Sequence, residues 1–333
     1  MPTRVTELFA IRYPVLLSGM SWVSTPELVA AVSAAGGLGI LATGTLTPDE
    51  VRAGLRRVRE LTDAPFGANV TLYFPGAERN ADILVEERVP VVNYAMGKGD
   101  RIAQAAHAYG GKVIATVTNA KHALAAQRDG ADALIVTGHE AAGHGGKVTS
   151  LVLVPSIVDQ VQLPVIAAGG FADHRGYLAA RALGAEGIAM GTRFLASVES
   201  PVPEVLKQRA VEAGVDDTLY SPKVDGIAAR VFASRGARRL IGQPLNPVAA
   251  LIKSRRIAGM MGFSWPKLAL GIAASGPENA LRMSRMALGF TAFEAGMLQG
   301  DLDRGVLPLG QVAGLIHEVL PVAEILRRVV DGE

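Results

Sequence analysis

The sequence predicts an α/β chain that folds as a closed (β/α)8 TIM barrel, with a helical cap domain inserted after strand 8. Three observations favour this fold: eight short apolar runs, helical segments with capping signals between them, and a regular spacing of the runs along the first 190 residues. Parallel strands that are buried on both faces appear as continuous apolar runs, whereas half-exposed strands alternate between apolar and polar residues. Eight strand–helix units in succession are the pattern of a barrel.

Each apolar run is four or five residues long and is predicted to be one strand. The runs are Pro14–Leu17, Leu38–Leu41, Phe66–Val70, Val89–Val92, Lys112–Thr116, Ala133–Val136, Pro164–Ala167 and Gly187–Met190. A doubly wound open sheet is the alternative. It would carry a G-x-G-x-x-G fingerprint after its first strand, and the segment Leu17–Val23 does not match that fingerprint.

The segments between the runs have helical spacing and recognisable ends. A capping residue, in two segments followed by proline, predicts a helix start, and glycine after the last helical turn predicts a helix end. The predicted starts are Thr25-Pro26, Thr47-Pro48, Asn119 and Asp173, and the terminating glycines are Gly130 and Gly184.

The rhythm changes after Phe194. Residues 200–300 show no clear strands, and we predict helices there over Ile257–Phe263, Pro266–Ala273 and Pro277–Phe290. Five methionines in this part suit core packing or a flexible cover over an apolar substrate; they are Met260, Met261, Met283, Met286 and Met297. The amphipathic stretch Gly310–Val330 is expected to form the last barrel helix. The predicted divisions are a barrel over 1–198, a cap over 199–304 and a returning helix over 305–333.

Composition narrows the function. The chain has 333 residues, a net charge of +2 and no cysteine, which excludes disulfides, thiolate metal sites and a cysteine nucleophile. Its basic clusters lack interleaved aromatics, so we expect no nucleic-acid partner. The N-terminus lacks a secretory pattern, and glycines interrupt the uncharged window Leu28–Pro48, so we predict a cytoplasmic protein without a membrane span. The expected partner is a small-molecule substrate, and a homodimer is one assembly that the sequence leaves open.

The most informative stretch is the loop after the sixth predicted strand. It contains His139, Glu140 and His144, and glycines flank His144 on both sides. In a barrel, catalytic and binding residues lie at the C-terminal ends of the strands. Strands seven and eight end in Gly169-Gly170 and Gly191-Thr192, where backbone N–H groups can approach a phosphate. The sequence therefore predicts a phosphorylated ligand facing an ionisable loop.

The sequence lacks the residue patterns that metal-dependent and Schiff-base enzymes require. No H-x-H or H-E-x-x-H pattern occurs, so no metal is predicted, and no lysine stands at a strand end as a Schiff-base residue would. A site with one histidine, small residues and a phosphate anchor favours a bound cofactor that performs the difficult chemistry. Flavin mononucleotide (FMN) meets those requirements. A barrel that binds a phosphorylated metabolite without catalysis is the non-enzymatic alternative.

Six motifs together resemble the nitronate monooxygenase family, formerly called 2-nitropropane dioxygenases, over nearly the whole chain. They are Tyr13-Pro14 with Gly19-Met20, Ala34–Gly39, Pro65–Asn69, Glu140–Gly145, Pro164–Gly170 and Met190–Phe194. The resemblance implies an FMN-dependent (β/α)8 barrel with a helical second domain. It also implies oxidation of alkyl nitronates or nitroalkanes with oxygen.

The resemblance further implies roles for single residues. Met20 and Asn69 would contact the flavin, and His144 would be the catalytic base that takes a proton from carbon next to the nitro group. The residues expected to bind the cofactor are Gly19, Met20, Asn69, Gly143, Gly169, Gly170, Gly191 and Thr192.

The same motifs are also similar to FMN-dependent enoyl-acyl-carrier-protein reductase II and to NADH:quinone reductases. The segments Gly19–Val23 and His144–Val154 are closer to these relatives, so the alternative is an NAD(P)H-dependent reductase of enoyl thioesters or quinones. Leu17 stands where the family usually has glutamine, which is expected to remove one polar contact to the flavin.

Overall fold

A computed structural model describes residues 2–74, 76–260, 264–266, 270 and 276–332. The predicted helix Pro266–Ala273 and the end of Ile257–Phe263 lie largely outside these residues, as does Met261.

All eight predicted strands are present, and each lies within three residues of its predicted ends. The strands are β1 Val15–Leu17, β2 Gly39–Ala42, β3 Phe66–Thr71, β4 Val91–Ala95, β5 Lys112–Val117, β6 Ala133–Thr137, β7 Val165–Ala168 and β8 Gly187–Met190.

The strands form one parallel sheet that closes on itself. Each strand pairs with its neighbours in the chain, and β1 pairs with β8. A bridge between Leu16 and Leu38 joins β1 to β2, with Leu17 N–H donating to the Leu38 carbonyl at 2.9 Å. The barrel prediction is therefore confirmed, and the alternative of a doubly wound open sheet is wrong.

The predicted helix starts and ends coincide with termini of four of the helices that accompany the strands. In chain order, the helices are α1 Arg4–Phe9, α2 Pro26–Ala34, α3 Pro48–Leu61, α4 Ala77–Glu86, α5 Asp100–His107, α6 Ala120–Arg128, α7 Ser150–Val158, α8 His174–Ala182 and α9 Thr192–Leu195. Thr47 caps α3 by accepting from Glu50 N–H, and Asp173 caps α8 by accepting from Gly176 N–H at 2.9 Å. Thr25 also occupies a cap position, although its side chain makes no capping bond.

Two apolar layers stabilise the barrel. Its interior contains Leu16, Ile40 and Ile114 among other buried side chains, and Phe9 of α1 belongs to the same cluster. The second layer lies between the strands and the surrounding helices. It contains Leu17, which is fully buried. Side chains alternate along a strand, so Leu17 points away from the barrel interior. The leucine at the usual glutamine position therefore removes no contact inside the barrel mouth, contrary to expectation.

The cap segment, residues 199–304, contains a feature that the sequence interpretation missed. It holds a β-hairpin of two antiparallel strands, β9 Thr218–Ser221 and β10 Ala229–Phe232, so the expectation of no strands in this part is wrong. Four-residue strands are too short to show a clear period. Among the described residues, α10 Glu204–Glu212 precedes the hairpin, and α11 Arg235–Gly242, α12 Pro247–Met260 and α13 Pro277–Gln299 follow it.

The last part of the chain returns to the barrel. The single helix predicted over Gly310–Val330 is wrong: a 3-10 turn, Gln311–Leu315, precedes a shorter helix, α14 Val322–Asp331. Pro321 precedes that helix, and proline favours an extended preceding residue and a helix start after it. Helix α14 packs between α8 and α2, which is the place of the last barrel helix.

The uncharged window Leu28–Pro48 contains most of helix α2 followed by strand β2, as predicted. In the described part of the chain, no helix has the length and apolar character needed to cross a membrane.

Candidate active site

The C-terminal ends of the strands open into one cavity of about 1170 Å³. It extends between the barrel mouth and the cap segment. All nine residues that the sequence singled out line it: Gly19, Met20, Asn69, Gly143, His144, Gly169, Gly170, Gly191 and Thr192. The topology thus brings together residues that are spread over 170 positions, although their individual roles stay predictions.

A ladder of hydrogen bonds orients Asn69 at the cavity wall. Its Nδ2 donates to Asn93 Oδ1 at 2.7 Å, and Asn93 Nδ2 donates in turn to Thr116 Oγ1 at 3.0 Å. The three residues belong to neighbouring strands β3, β4 and β5, and Asn69 and Asn93 are buried. Since the amide nitrogen of Asn69 is engaged, its Oδ1 is the atom that can accept a hydrogen bond from a ligand N–H.

Two glycines allow strand ends to approach closely. A Cβ added at Gly19 would lie 2.5 Å from the Cβ of Asn69, and one added at Gly191 would lie 3.2 Å from Met20 Sδ. The first separation is shorter than non-bonded carbon atoms permit, so Gly19 is required where the loop after β1 meets β3.

The exits of β7 and β8 offer backbone donors. Gly169 and Gly170 have φ of +93° and +88°, a region that favours glycine. Among the described residues, the N–H groups of Gly170 and Gly191 form no hydrogen bond with the protein. Thr192 Oγ1 accepts from Gly310 N–H at 3.1 Å, which leaves its hydroxyl proton for another acceptor. Free amides and a hydroxyl at a helix start are the donor set that a phosphate prefers.

Glu140 stabilises this region. Its carboxylate accepts from Ser150 N–H at 3.0 and 2.9 Å and from the Ser150 hydroxyl at 3.1 Å. The Ser150 hydroxyl also lies 2.7 Å from the Gly169 carbonyl oxygen. The loop after β6 is therefore connected directly to the glycines after β7. Ser150 thus holds the Glu140 carboxylate in a fixed orientation beside the proposed phosphate site.

His144 lies in the same loop as Glu140, four residues further along the chain, and its side chain is 26% exposed. Its Nε2 is 2.8 Å from Oδ2 of Asp225, which lies between β9 and β10 and is only 8% exposed. The other carboxylate oxygen, Asp225 Oδ1, accepts from Ile227 N–H at 3.1 Å. The sequence interpretation missed Asp225. The signal that could have indicated it is the Asp225-Gly226 pair, which is typical of a turn between two strands.

The hairpin supports the His144 loop from outside. Gly143 and Arg230 exchange both backbone hydrogen bonds, at 3.0 and 2.9 Å, and the Tyr220 hydroxyl donates to the Gly145 carbonyl at 2.9 Å. Arg230 Nε also donates to the His139 carbonyl at 3.1 Å, and burial lowers the pKa of this arginine. The loop is consequently held by a part of the chain almost 90 residues away in sequence.

His139 contributes to this support and does not line the cavity. Its Nδ1 is 2.9 Å from the Gly146 carbonyl oxygen, and its ring meets the Tyr220 ring edge-on at a centroid distance of 4.5 Å. The structure therefore separates the two histidines of the loop, with His144 facing the cavity and His139 packed against the hairpin.

The cap segment gives the cavity an apolar side. Trp22 packs edge-on against Phe290 of α13 at 5.3 Å, and both residues line the cavity. Further apolar side chains complete this side: Ile227, Met286, Phe293 and Met297. Two of the methionines that were expected to cover a substrate thus have that position. Within the described residues, no cluster of His, Cys, Asp or Glu is suited to hold a metal ion.

A closed barrel whose strand-end residues surround one large cavity is the usual place of an enzyme active site, and the comparisons with known proteins show that the chain is an enzyme of the flavin-type oxidoreductase class. A model of the family described as nitronate monooxygenase matches residues 2–82 and 74–332. The chain belongs to this family, as the motifs predicted.

Three similar proteins illustrate the range of the family. A protein of Rhodococcus jostii (strain RHA1), named (3aS,4S,5R,7aS)-5-hydroxy-7a-methyl-1-oxo-octahydro-1H-indene-4-carboxyl-CoA dehydrogenase, is 39% identical over 99% of this chain and 94% of its own. A probable nitronate monooxygenase of Staphylococcus saprophyticus is 34% identical over 69% of this chain and 78% of its own. The solved structure of FabK from Thermotoga maritima has a TM-score of 0.83 at 39% identity, covering 99% of this chain and 95% of that chain.

Proposed function

We propose that this chain is an FMN-dependent dehydrogenase of a bulky acyl-CoA thioester. The observation that carries the proposal is the cavity of about 1170 Å³ with His144 at its wall and an apolar side supplied by the cap segment. Pockets for a single small ligand usually measure about 300–1,000 Å³, so this cavity has room for a cofactor and a second molecule.

The residues present fit FMN. Gly169, Gly170, Gly191 and Thr192 would hold its phosphate through backbone N–H groups and a hydroxyl. Met20 and Asn69 would contact its ring system, with Asn69 Oδ1 as an acceptor. When bound, FMN supplies the two-electron acceptor that a dehydrogenation requires.

His144 supplies the base. The carbonyl group of a thioester activates the proton on the adjacent carbon, and a neutral imidazole can act as the general base for it; general-base catalysis of this kind contributes roughly 10²–10⁴-fold to a rate. The apolar side chains of Phe290, Phe293 and Met286 would hold the acyl group and exclude water from the reacting carbon.

The relatives support an acyl-CoA substrate. The dehydrogenase of Rhodococcus jostii, whose name describes a two-ring carboxyl-CoA compound, matches nearly the whole of this chain, including the cap segment. The probable nitronate monooxygenase matches 69% of it. Because the cap segment forms the apolar side of the cavity, similarity there bears on the substrate.

Oxidation of nitronates or nitroalkanes with oxygen is the second candidate. The family match favours it, and carbon next to a nitro group is likewise a carbon acid that His144 could deprotonate. An NAD(P)H-dependent reductase of enoyl thioesters or quinones is the further alternative, in which NAD(P)H is a co-substrate.

Anaerobic mixing tests these candidates. The purified protein, loaded with FMN, is mixed separately with a saturated cyclic acyl-CoA, the corresponding free acid, nitroethane, its nitronate, NADH and NADPH. We expect the acyl-CoA to bleach the visible flavin band and the free acid to leave it unchanged. Bleaching by nitronate alone would favour the second candidate. Bleaching by NADH or NADPH alone would favour the reductase, and either result would overturn the proposed substrate.

A further inference from the structure

The hydrogen bond between His144 and Asp225 joins two distant parts of the chain. His144 belongs to the loop after β6 of the barrel, whereas Asp225 belongs to the turn of the hairpin in the cap segment. The bond is 2.8 Å long, and the Asp225 side chain is 10% exposed. A histidine and a buried carboxylate at this distance at a cavity wall are an arrangement that can determine which ring nitrogen carries the proton.

We propose that Asp225 is a positioning residue that keeps the proton of His144 on Nε2, so that Nδ1 is the atom that accepts the substrate proton. The catalytic meaning of this inference rests on the proposed function, in which His144 is the base. The hydrogen-bond pattern itself does not depend on any substrate.

The chemistry of the carboxylate supports the assignment. An ionised carboxylate only accepts hydrogen bonds, so the nitrogen that contacts Asp225 Oδ2 must be the one that bears a proton. In a neutral imidazole the other nitrogen then has the free lone pair. Proton transfer from substrate carbon forms a new N–H bond at Nδ1, and the electron pair of the broken C–H bond stays on the substrate carbon next to the carbonyl group.

The second carboxylate oxygen of Asp225 allows the orientation of an asparagine at this position to be predicted. Because Oδ1 accepts from Ile227 N–H at 3.1 Å, an asparagine at this position would keep its carbonyl oxygen on that side. Its NH₂ group would then face His144 Nε2 and donate to it. The ring proton would move to Nδ1, which would no longer be able to act as a base. The variant Asp225→Asn should therefore reverse the tautomer while conserving the shape of the site.

Nitrogen-15 NMR of the histidine-labelled, FMN-loaded protein at mildly alkaline pH tests the tautomer directly. We expect a protonated Nε2 and an unprotonated Nδ1 for His144 in the native protein, and the reverse in Asp225→Asn. The assignment uses the signals that disappear in His144→Ala. The control is Asp216→Asn, an exposed aspartate before β9 that should leave the spectrum unchanged. A native His144 with a proton on Nδ1, or the same tautomer in Asp225→Asn, overturns the inference.

Kinetics separate positioning from a structural role. With the substrate that bleaches the flavin, Asp225→Asn should reduce kcat on the order of 10³-fold and change KM little, because the base and not the binding surface is altered. Asp225→Ala, which leaves both tautomers accessible, should lose less than Asp225→Asn. Equal losses in both variants, or losses confined to KM, contradict the inference. If no substrate bleaches the native flavin, the proposed function fails while the NMR result still decides the tautomer.

Discussion

Gly19 illustrates how a single residue determines the shape of the proposed cofactor site. It lies where the loop after β1 meets Asn69 of β3, and a Cβ there would come within 2.5 Å of the Asn69 Cβ. We expect Gly19→Ala to displace Asn69 or the loop that carries Met20, and therefore to weaken FMN binding on the order of 10-fold or more. Fluorescence titration of the flavin-free protein with FMN measures this loss.

The matched control is Gly242→Ala, because an added Cβ at Gly242 meets no atom within 4 Å. This variant should bind FMN like the native protein. Unchanged FMN affinity in Gly19→Ala would show that Asn69 does not form part of the cofactor site.

Residues in local motifs could be predicted, whereas partners from distant elements could not. His144 and Thr192 belong to recognisable patterns at strand ends, and the structure places both at the cavity. Asp225 is separated from His144 by 81 positions, and only the folded hairpin brings the two together. The expectation for Leu17 was wrong for a local reason. Side chains alternate along a strand, and this alternation places the Leu17 side chain between the strands and the surrounding helices, away from the barrel interior.

At the scale of elements, the capping residue Asp173 stabilises the start of helix α8, and this contribution depends on pH. Burial alone would raise the pKa of Asp173, but hydrogen bonds from Gly176 N–H and Arg175 outweigh it, and the pKa is lowered in the folded protein. A group whose pKa is lowered on folding stabilises the fold above its unfolded pKa of about 3.9, and this contribution is lost as the pH falls through the folded value.

We therefore expect Asp173→Ala to reduce the free energy of unfolding by about 1 kcal/mol at neutral pH. The difference in unfolding free energy from the native protein should begin to narrow as the pH falls below the unfolded pKa of about 3.9, and it should be lost as the pH falls through the lower pKa of the folded carboxylate. Urea unfolding at several pH values measures this. Asp173→Asn is the control, since it retains a capping oxygen without a titrating group. A difference in unfolding free energy between the native protein and Asp173→Ala that stays constant down to acid pH would contradict this explanation.

The elements of the barrel were more predictable than those of the cap segment. A parallel strand buried on both faces leaves a continuous apolar run, and a proline after threonine marks a helix start, so each βα unit has local signals. The hairpin β9–β10 has only four residues in each strand, and its pairing depends on contacts with the loop at Gly143. Its strands are consequently stabilised by tertiary structure that the sequence pattern does not show.

At the scale of the whole molecule, the site is assembled from the barrel and the cap segment, and the barrel was predicted from the sequence more completely than the cap segment. The barrel supplies the proposed phosphate cradle, Asn69 and His144. The cap segment supplies Asp225 and the apolar wall that includes Phe290. Since the barrel residues are those of the family motifs, they support the proposed cofactor and the proposed base. The substrate depends on the cap segment, where weaker local patterns left both strands and Asp225 unpredicted.

The most direct test of the central claim is the rate at which an acyl-CoA bleaches the bound flavin without oxygen, in the native protein and in His144→Ala. We expect the native rate to fall several-fold when deuterium replaces hydrogen on the carbon next to the thioester. In His144→Ala we expect retained FMN and a rate lower by at least about 10²-fold. The surface variant His317→Ala should behave like the native protein. A native-like rate in His144→Ala with FMN bound would contradict the account.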